Sequence, residues 1–130
     1  ENNASGPSQM ILKTSTGRLG IGEDTPGSKL SVAGDVSIGT GGTPILKHLS
    51  ATAVLDFANQ ASIGCNDLTI TVTGAAVGDT VAIGTPNGSV VTDGIFTAWV
   101  SATNTVTVRF CALTSGNPAS GTFRADVWQH

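Results

Sequence analysis

Short apolar segments bounded by glycine constrain the fold of this chain more than any other feature of its sequence. Within the first 44 residues, apolar side chains alternate with small or polar ones at residues 19–21, 30–32 and 36–38. A period of two is typical of β-strands, in which successive side chains point to opposite faces. Strands this short bury too little surface to be stable alone. They therefore predict a β-structure in which other chains cover the apolar side chains.

Composition agrees with an all-β fold and limits the function. The 130 residues include 17 glycines, and only 12% are charged, about half the usual share. So little charge on a small chain predicts that part of its surface is buried against other chains. The net charge is −3 at pH 7 and the basic residues are scattered singly, which excludes a nucleic-acid partner. No apolar run approaches the roughly 20 residues needed for membrane insertion. Since the chain starts at Glu1 without a methionine, we expect it to be a fragment of a longer protein.

One glycine-rich stretch resembles a known motif. It comprises Gly17-Arg18-Leu19-Gly20-Ile21-Gly22, then Pro26, then Lys29-Leu30-Ser31-Val32-Ala33-Gly34-Asp35-Val36. This pattern is similar to one that recurs in the shafts of phage tail fibres and of tail-fibre-like bacterial surface fibres. The resemblance covers residues 17–39 and implies an intertwined homotrimeric β shaft, with two identical subunits as partners.

Composition changes near residue 45, so we predict a shaft segment with a hinge at residues 1–44 and a head domain at residues 45–130. The hinge is predicted at Thr40-Gly41-Gly42-Thr43-Pro44, where glycine gives flexibility that proline then limits. The head carries longer alternating segments at residues 51–57, 68–72, 80–83, 95–101, 105–111 and 122–128. About seven strands with this spacing predict a small antiparallel β-sandwich or jelly-roll-like head. Pro86-Asn87-Gly88 predicts a turn or hairpin tip.

A second resemblance lies in the head, at residues 49–57, 68–79, 104–109 and 118–124. These residues are similar to a small module found at the ends of phage and virus structural proteins. Similar heads are expected on the mosaic adhesive trimer fibres of predatory bacteria. The resemblance implies a trimeric terminal knob on an extracellular fibre, on a virion tail or on a bacterial cell surface, and it assigns no ligand.

No arrangement of residues predicts catalysis. The sequence lacks a Gly-x-Ser-x-Gly elbow, and Gly39-Thr40-Gly41-Gly42 lacks the Lys-Ser/Thr of a phosphate-binding loop. His48 and His130 lie at the predicted hinge and terminus, where a surface role is more typical than a general base or metal ligand. A polysaccharide-cleaving enzyme needs paired carboxylates, and the aspartates mostly occupy turn contexts. The candidate aspartates are Asp56, Asp67, Asp79, Asp93 and Asp126. We predict no enzyme, no cofactor and no metal site.

Exposed aromatic and polar side chains are the candidates for ligand binding. Trp99 falls opposite the Phe96, Ala98 and Val100 face, so it should project away from the core and either stack on a sugar or contact another subunit. Trp128 has the same alternatives, with core burial as a third. The arginines at 109 and 124 either meet an anionic glycan or pair with aspartates such as Asp126. The polar residues of the 87–93 loop either bind hydroxyl groups or form a solvated tip. The candidate ligand-binding residues are Asn87, Ser89, Thr92, Asp93, Trp99, Arg109 and Trp128.

The two cysteines, Cys65 and Cys111, leave two interpretations open. They are either small buried side chains at strand edges or a disulfide, which requires Cα atoms within roughly 7 Å. The sequence does not decide between these interpretations.

Taken together, the sequence predicts the distal tip of a homotrimeric, tail-fibre-like adhesin that binds a cell-surface glycan or other envelope polymer. The alternative is a purely structural trimerisation and capping module without a ligand of its own.

Overall fold

The computed structural model describes residues 10–130 and confirms that the fold is all-β. Two compact units divide between Leu46 and Lys47, two residues beyond the predicted boundary. The strands of the described residues are β1 (Met10–Lys13), β2 (Arg18–Ile21), β3 (Leu30–Val32), β4 (Lys47–Leu55), β5 (Cys65–Thr71), β6 (Thr80–Gly84), β7 (Gly94–Ala102), β8 (Thr105–Ala112) and β9 (Gly121–Gln129). A single-turn 3₁₀ helix at Asn87–Ser89 lies between β6 and β7.

The first unit contains one small sheet in the order β1-β2-β3. Strand β2 pairs antiparallel with β1 and parallel with β3, so that Leu19 lies beside Leu30. Gly20 sits at the centre of this sheet, and a Cβ at that position would collide with the carbonyl oxygen of Glu23. Gly20 is therefore required by the close approach of two backbone segments.

The prediction of a strand at residues 36–38 is wrong. Only Val36 pairs there, in an isolated antiparallel bridge with Ile45 that has two backbone hydrogen bonds of 3.0 and 2.9 Å. Gly34 and Gly39 flank the segment with φ of 144° and 80°, and these positive values interrupt an extended strand. The predicted hinge at residues 40–44 lies within the loop that this bridge closes.

The first unit buries almost none of its large apolar side chains. In the described residues before Lys47, no Val, Leu, Ile or Met is buried, and Ile38 is 76% exposed. The large hydrophobic residues exposed in this unit are Met10, Leu12, Ile21, Leu30, Val36, Ile38 and Leu46. The described residues of this unit, 10–46, therefore have a strand pattern without a buried hydrophobic core.

The second unit is a β-sandwich-like head of two three-stranded antiparallel sheets. Their orders are β4-β9-β6 and β5-β8-β7, and the inward side chains of both sheets form one core. Phenylalanines occupy its centre: the ring of Phe57 lies 5.5 Å from that of Phe96 and 5.6 Å from that of Phe123. The alternation seen in the sequence places Val106, Val108 and Phe110 of β8 in this core. The alternation therefore predicted the faces of β4, β5, β7 and β8 correctly.

Two details of the predicted head need correction. The head has six strands, where about seven were expected. Of the two alternatives for residues 86–88, the turn is confirmed and the hairpin tip is wrong, because β6 and β7 belong to different sheets and the chain crosses between them through the 3₁₀ turn.

Cys65 and Cys111 form a disulfide, which answers the question that the sequence left open. The two residues are direct partners in the register of β5 and β8, and their Cα atoms are 4.1 Å apart. Cys65 is exposed and Cys111 is half-buried, so the interpretation as two buried thiols is wrong. The bond fastens the start of β5 to the end of β8, across 46 residues of sequence.

Three loops that connect strands of the head meet at one end of the sandwich, the end away from Lys47. Strand β4 starts at Lys47 beside Gln129 and ends at Leu55 beside Gly121. The connections at 56–64, 85–93 and 113–120 leave or enter the sheets at this second end. Backbone hydrogen bonds between Gln60 and Gly116, of 2.8 and 3.0 Å, join two of these connections.

Candidate functional site

The outer face of the β5-β8-β7 sheet presents Trp99 and Arg109. Trp99 is 38% exposed, and its ring lies on the face away from the core, as the sequence predicted. The guanidinium carbon of Arg109 lies 5.0 Å from the centre of that ring, within the range of a cation–π contact. Two charge-assisted hydrogen bonds of 2.7 Å join Arg109 to the carboxylate of Asp67. Arg109 therefore pairs with Asp67, not with Asp126.

This ion pair keeps its charges over most of the pH range. The hydrogen bond from Arg109 lowers the pKa of Asp67, and the same bond raises the pKa of Arg109. The cross-strand register places Arg109 between Asp67 on β5 and Thr97 on β7. The two hydrogen bonds to Asp67 hold the guanidinium plane of Arg109 in one orientation beside Trp99. The aromatic ring therefore has a charged group fixed next to it.

Small hydroxyl side chains surround Trp99 on the same face. Thr107 is its cross-strand neighbour, and the hydroxyl of Thr107 donates to that of Ser101 at 2.6 Å. Ile95, exposed, lies beside Cys111 at the other end of this face. This face therefore carries apolar, hydroxyl and charged groups in succession along it.

The candidates of the 87–93 loop divide into buried and exposed residues. Ser89 is only 1% exposed and its hydroxyl donates to the carbonyl of Ala119 at 2.7 Å, so its prediction as a surface ligand-binding residue is wrong. Asn87 and Thr92 are exposed. Asp93, also exposed, accepts a hydrogen bond from Thr114 at 3.1 Å, which links two of the three connections. The reason for the error is tertiary: the 3₁₀ turn folds Ser89 against the segment that enters β9.

The outer face of the β4-β9-β6 sheet presents Trp128 and the residues around it. His48 stacks on Trp128 with ring centres 4.2 Å apart and an interplanar angle of 29°. The Nε2 of His48 lies 3.2 Å from the Oδ1 of Asp126, and Nη1 of Arg124 donates to the hydroxyl of Ser50 at 2.9 Å. A hydrogen bond from Ser50, then one from His48, lowers the pKa of Asp126. Trp128 is half-buried on this outer face, so core burial is not its position.

Sequence reasoning singled out Trp128 but missed the arrangement of its neighbours. His48 was predicted as an isolated surface residue, yet it stacks on an aromatic ring. The alternation of β4 and of β9 indicates which residues face outward, but only the register of the two strands brings His48 beside Trp128. The aspartates were predicted to lie mostly in turns, and Asp67 lies instead within β5. Asp79 does lie at a turn, where it accepts from the backbone N–H of Ala76 at 2.9 Å.

Several kinds of site are absent from the described part of the chain. Residues 10–130 contain no group of three or more His, Cys, Asp or Glu that could hold a metal ion, and no pocket. Over the same residues, no helix is long and apolar enough to cross a membrane. What residues 10–130 do present are two open strand faces, each with one tryptophan beside charged groups.

Comparison with protein families, with characterised proteins and with solved structures finds no match to this chain.

Proposed function

We propose that this chain is the distal tip of a homotrimeric, tail-fibre-like adhesin that binds a cell-surface glycan or another envelope polymer of a target cell. In this proposal the fibre is extracellular, on a virion tail or on a bacterial surface. The supporting observation is the first unit, whose large apolar side chains are exposed in a single chain.

The exposed side chains of the first unit support partner chains around it. Leu12 and Leu30 are 64% and 58% exposed, on strands of four and three residues. Burying a leucine side chain stabilises a structure by about 1.5–3 kcal/mol, so several such residues per chain would favour association strongly. Three identical chains around one axis would cover these side chains and present three heads.

The face around Trp99 supports binding of a glycan by the head. Aromatic rings pack against the apolar face of a sugar, while charged and hydroxyl groups bond to its hydroxyls. Trp99, Arg109 and the exposed hydroxyl of Ser101, which Thr107 holds by a hydrogen bond, supply these groups within one sheet. Three heads on one fibre would add avidity to weak single sites.

Two measurements test this proposal. The solution mass should be about three times the 13.0 kDa of one chain, whereas a monodisperse single chain would contradict the trimer. On an array of envelope polysaccharides, the protein should bind saturably, and Trp99→Ala should weaken binding while leaving the mass unchanged. Thr97→Ala is the matched control, because Thr97 is exposed on the same strand and face. Equal binding by Trp99→Ala and by the wild type would exclude this face.

The alternative is a trimerisation and capping module without a ligand, and one observation favours it. The described residues contain no pocket, and Ile95 and Trp99 could as well contact a neighbouring subunit. This alternative predicts no binding to any envelope polymer, together with loss of shaft assembly when residues 47–130 are deleted.

We propose no enzymatic activity for this chain. The carboxylates of Asp67 and Asp126, which lie on the outer faces of opposite sheets, are each bonded to their own neighbours. Release of reducing ends from capsule or lipopolysaccharide by the purified protein would contradict this part of the proposal.

A further inference from the structure

A row of three side chains along β9 forms the centre of the second outer face. Arg124, Asp126 and Trp128 alternate with core residues, so all three point away from the core. We call these three residues the β9 row. It lies on the sheet opposite to the one that carries Trp99.

Side chains of β4 hold the β9 row in place from one side. His48 and Ser50 are the cross-strand partners of Trp128 and Asp126. His48 stacks on the indole and contacts the carboxylate of Asp126, while Ser50 receives a hydrogen bond from Arg124. The aromatic ring, the carboxylate and the guanidinium are therefore ordered before any ligand arrives, which lowers the entropic cost of binding.

The other side of the row is open. The cross-strand partners on β6 are Thr80 beside Trp128, Ala82 beside Asp126 and Gly84 beside Arg124. Above these small residues of the edge strand lies an open strip of the sheet surface. The longer side chains of the β9 row border this strip. Neighbouring strands are about 4.8 Å apart and β6 is an edge strand, so the strip has room for one sugar ring lying against the sheet.

We propose that the β9 row and this strip form a second glycan-binding site of the head, for one ring of a neutral polysaccharide. The indole of Trp128 contacts the apolar face or edge of the ring, Asp126 accepts hydrogen bonds from its hydroxyls, and Arg124 donates to its oxygens. This inference rests on the proposed glycan-binding function and adds the residues and the ligand class.

The charges of the β9 row favour a neutral sugar over an acidic one. Asp126 stands at the centre of the row, and hydrogen bonds from Ser50 and His48 favour its ionised form. An acidic sugar would bring a second negative charge beside this carboxylate, and that repulsion offsets the attraction of Arg124. A neutral ring uses the carboxylate as an acceptor and the guanidinium as a donor without this cost.

The two tryptophans allow a direct test on the full chain. Because the chain has only two, each indole N–H gives one assignable NMR signal. The probes are the methyl glycosides of glucose, galactose, mannose and N-acetylglucosamine, with glucuronic acid as the acidic probe. At least one neutral glycoside should shift the signal of Trp128 saturably, and glucuronic acid should bind more weakly.

Variants of the row provide the second part of the test. Asp126→Asn and Arg124→Gln should each weaken the neutral glycoside about tenfold or more, as expected for the loss of a hydrogen bond to a charged group. Thr122→Ala is the matched control, since Thr122 is exposed on the same strand and face, and it should leave affinity unchanged.

The outcomes separate this inference from the proposed function. A response of Trp99 alone, with Trp128 silent, overturns the second site and leaves glycan binding intact. If glucuronic acid binds more tightly than every neutral glycoside, the proposal of a neutral ligand is overturned. If both variants lose stability but keep their affinity, the β9 row is only structural. If neither indole responds and the polysaccharide array is also silent, the glycan-binding function itself fails.

Discussion

The two units of this chain use the same strand pattern with opposite results. Both alternate apolar and polar residues, yet the buried Val, Leu, Ile and Phe side chains of the described residues all lie from Leu55 onward. The head has two sheets that pack on one shared core, whereas the described residues of the first unit form one sheet of three- and four-residue strands. Alternation determines which side chains share a face, but a second layer is needed before that face becomes a core.

The largest effect should come from removing the aromatic centre of the head. Phe57→Ala deletes a buried ring that contacts three other phenylalanines and should lower the free energy of unfolding by about 3–5 kcal/mol. Leu12→Ala, in the first unit, should leave the head transition within about 0.5 kcal/mol of wild type, since Leu12 is exposed in the single chain. Both tryptophans lie in the head, so their fluorescence during denaturant unfolding reports on the head. Equal decreases in the free energy of unfolding for the two variants would show that the two units unfold as one.

The next effect should come from the disulfide, which only the head possesses. Cys65→Ala with Cys111→Ala should destabilise the head by about 2–4 kcal/mol, because a bond that closes a long loop restricts the unfolded chain. A reductant should reproduce the effect in the wild type and have no effect on the double variant. An unchanged transition midpoint after verified reduction would contradict this prediction.

A smaller effect, of opposite sign, is expected at Ile63. Ile63 and Asn104 both have a φ of 62°, a left-handed conformation that suits asparagine and strains a β-branched residue. Ile63 is 87% exposed, so Ile63→Asn sacrifices no packing and should stabilise the head by about 1 kcal/mol. The reverse exchange, Asn104→Ile, should destabilise it, since the Oδ1 of Asn104 also accepts from the N–H of Gly74 at 2.6 Å. A loss of stability in Ile63→Asn would mean that the isoleucine has a packing partner, such as another subunit.

The smallest effect should be the pH dependence of stability that the exposed ion pair of Asp67 and Arg109 causes. Since the folded pKa of Asp67 is lowered, the pair stabilises the head above the unfolded value of about 3.9 and loses this contribution as the pH falls through the folded pKa. The melting temperature of Asp67→Asn should therefore lie slightly below that of wild type near neutral pH, and the two should converge under strongly acidic conditions. A difference that stays constant with pH would assign the effect to something other than charge.

Prediction from sequence succeeded where the information is local. The outward position of Trp99 and the inward positions of Val106, Val108 and Phe110 follow from alternation within a single strand. It failed at residues 36–38, where Gly34 and Gly39, both with positive φ, flank a short alternating segment. It also failed at Ser89, whose burial depends on the distant segment around Ala119.

The sequence by itself determined an all-β chain and the faces of β4, β5, β7 and β8, because side-chain direction in a strand depends only on the parity of neighbouring residues. Only the tertiary structure decided which strands pair and in which register. That register joins Cys65 to Cys111, Asp67 to Arg109 and His48 to Trp128. These partners are far apart in the chain, and a shift of one residue would turn every side chain of a strand to the opposite face. The candidate binding faces therefore arise from strand pairing, which depends on the packing of the whole head.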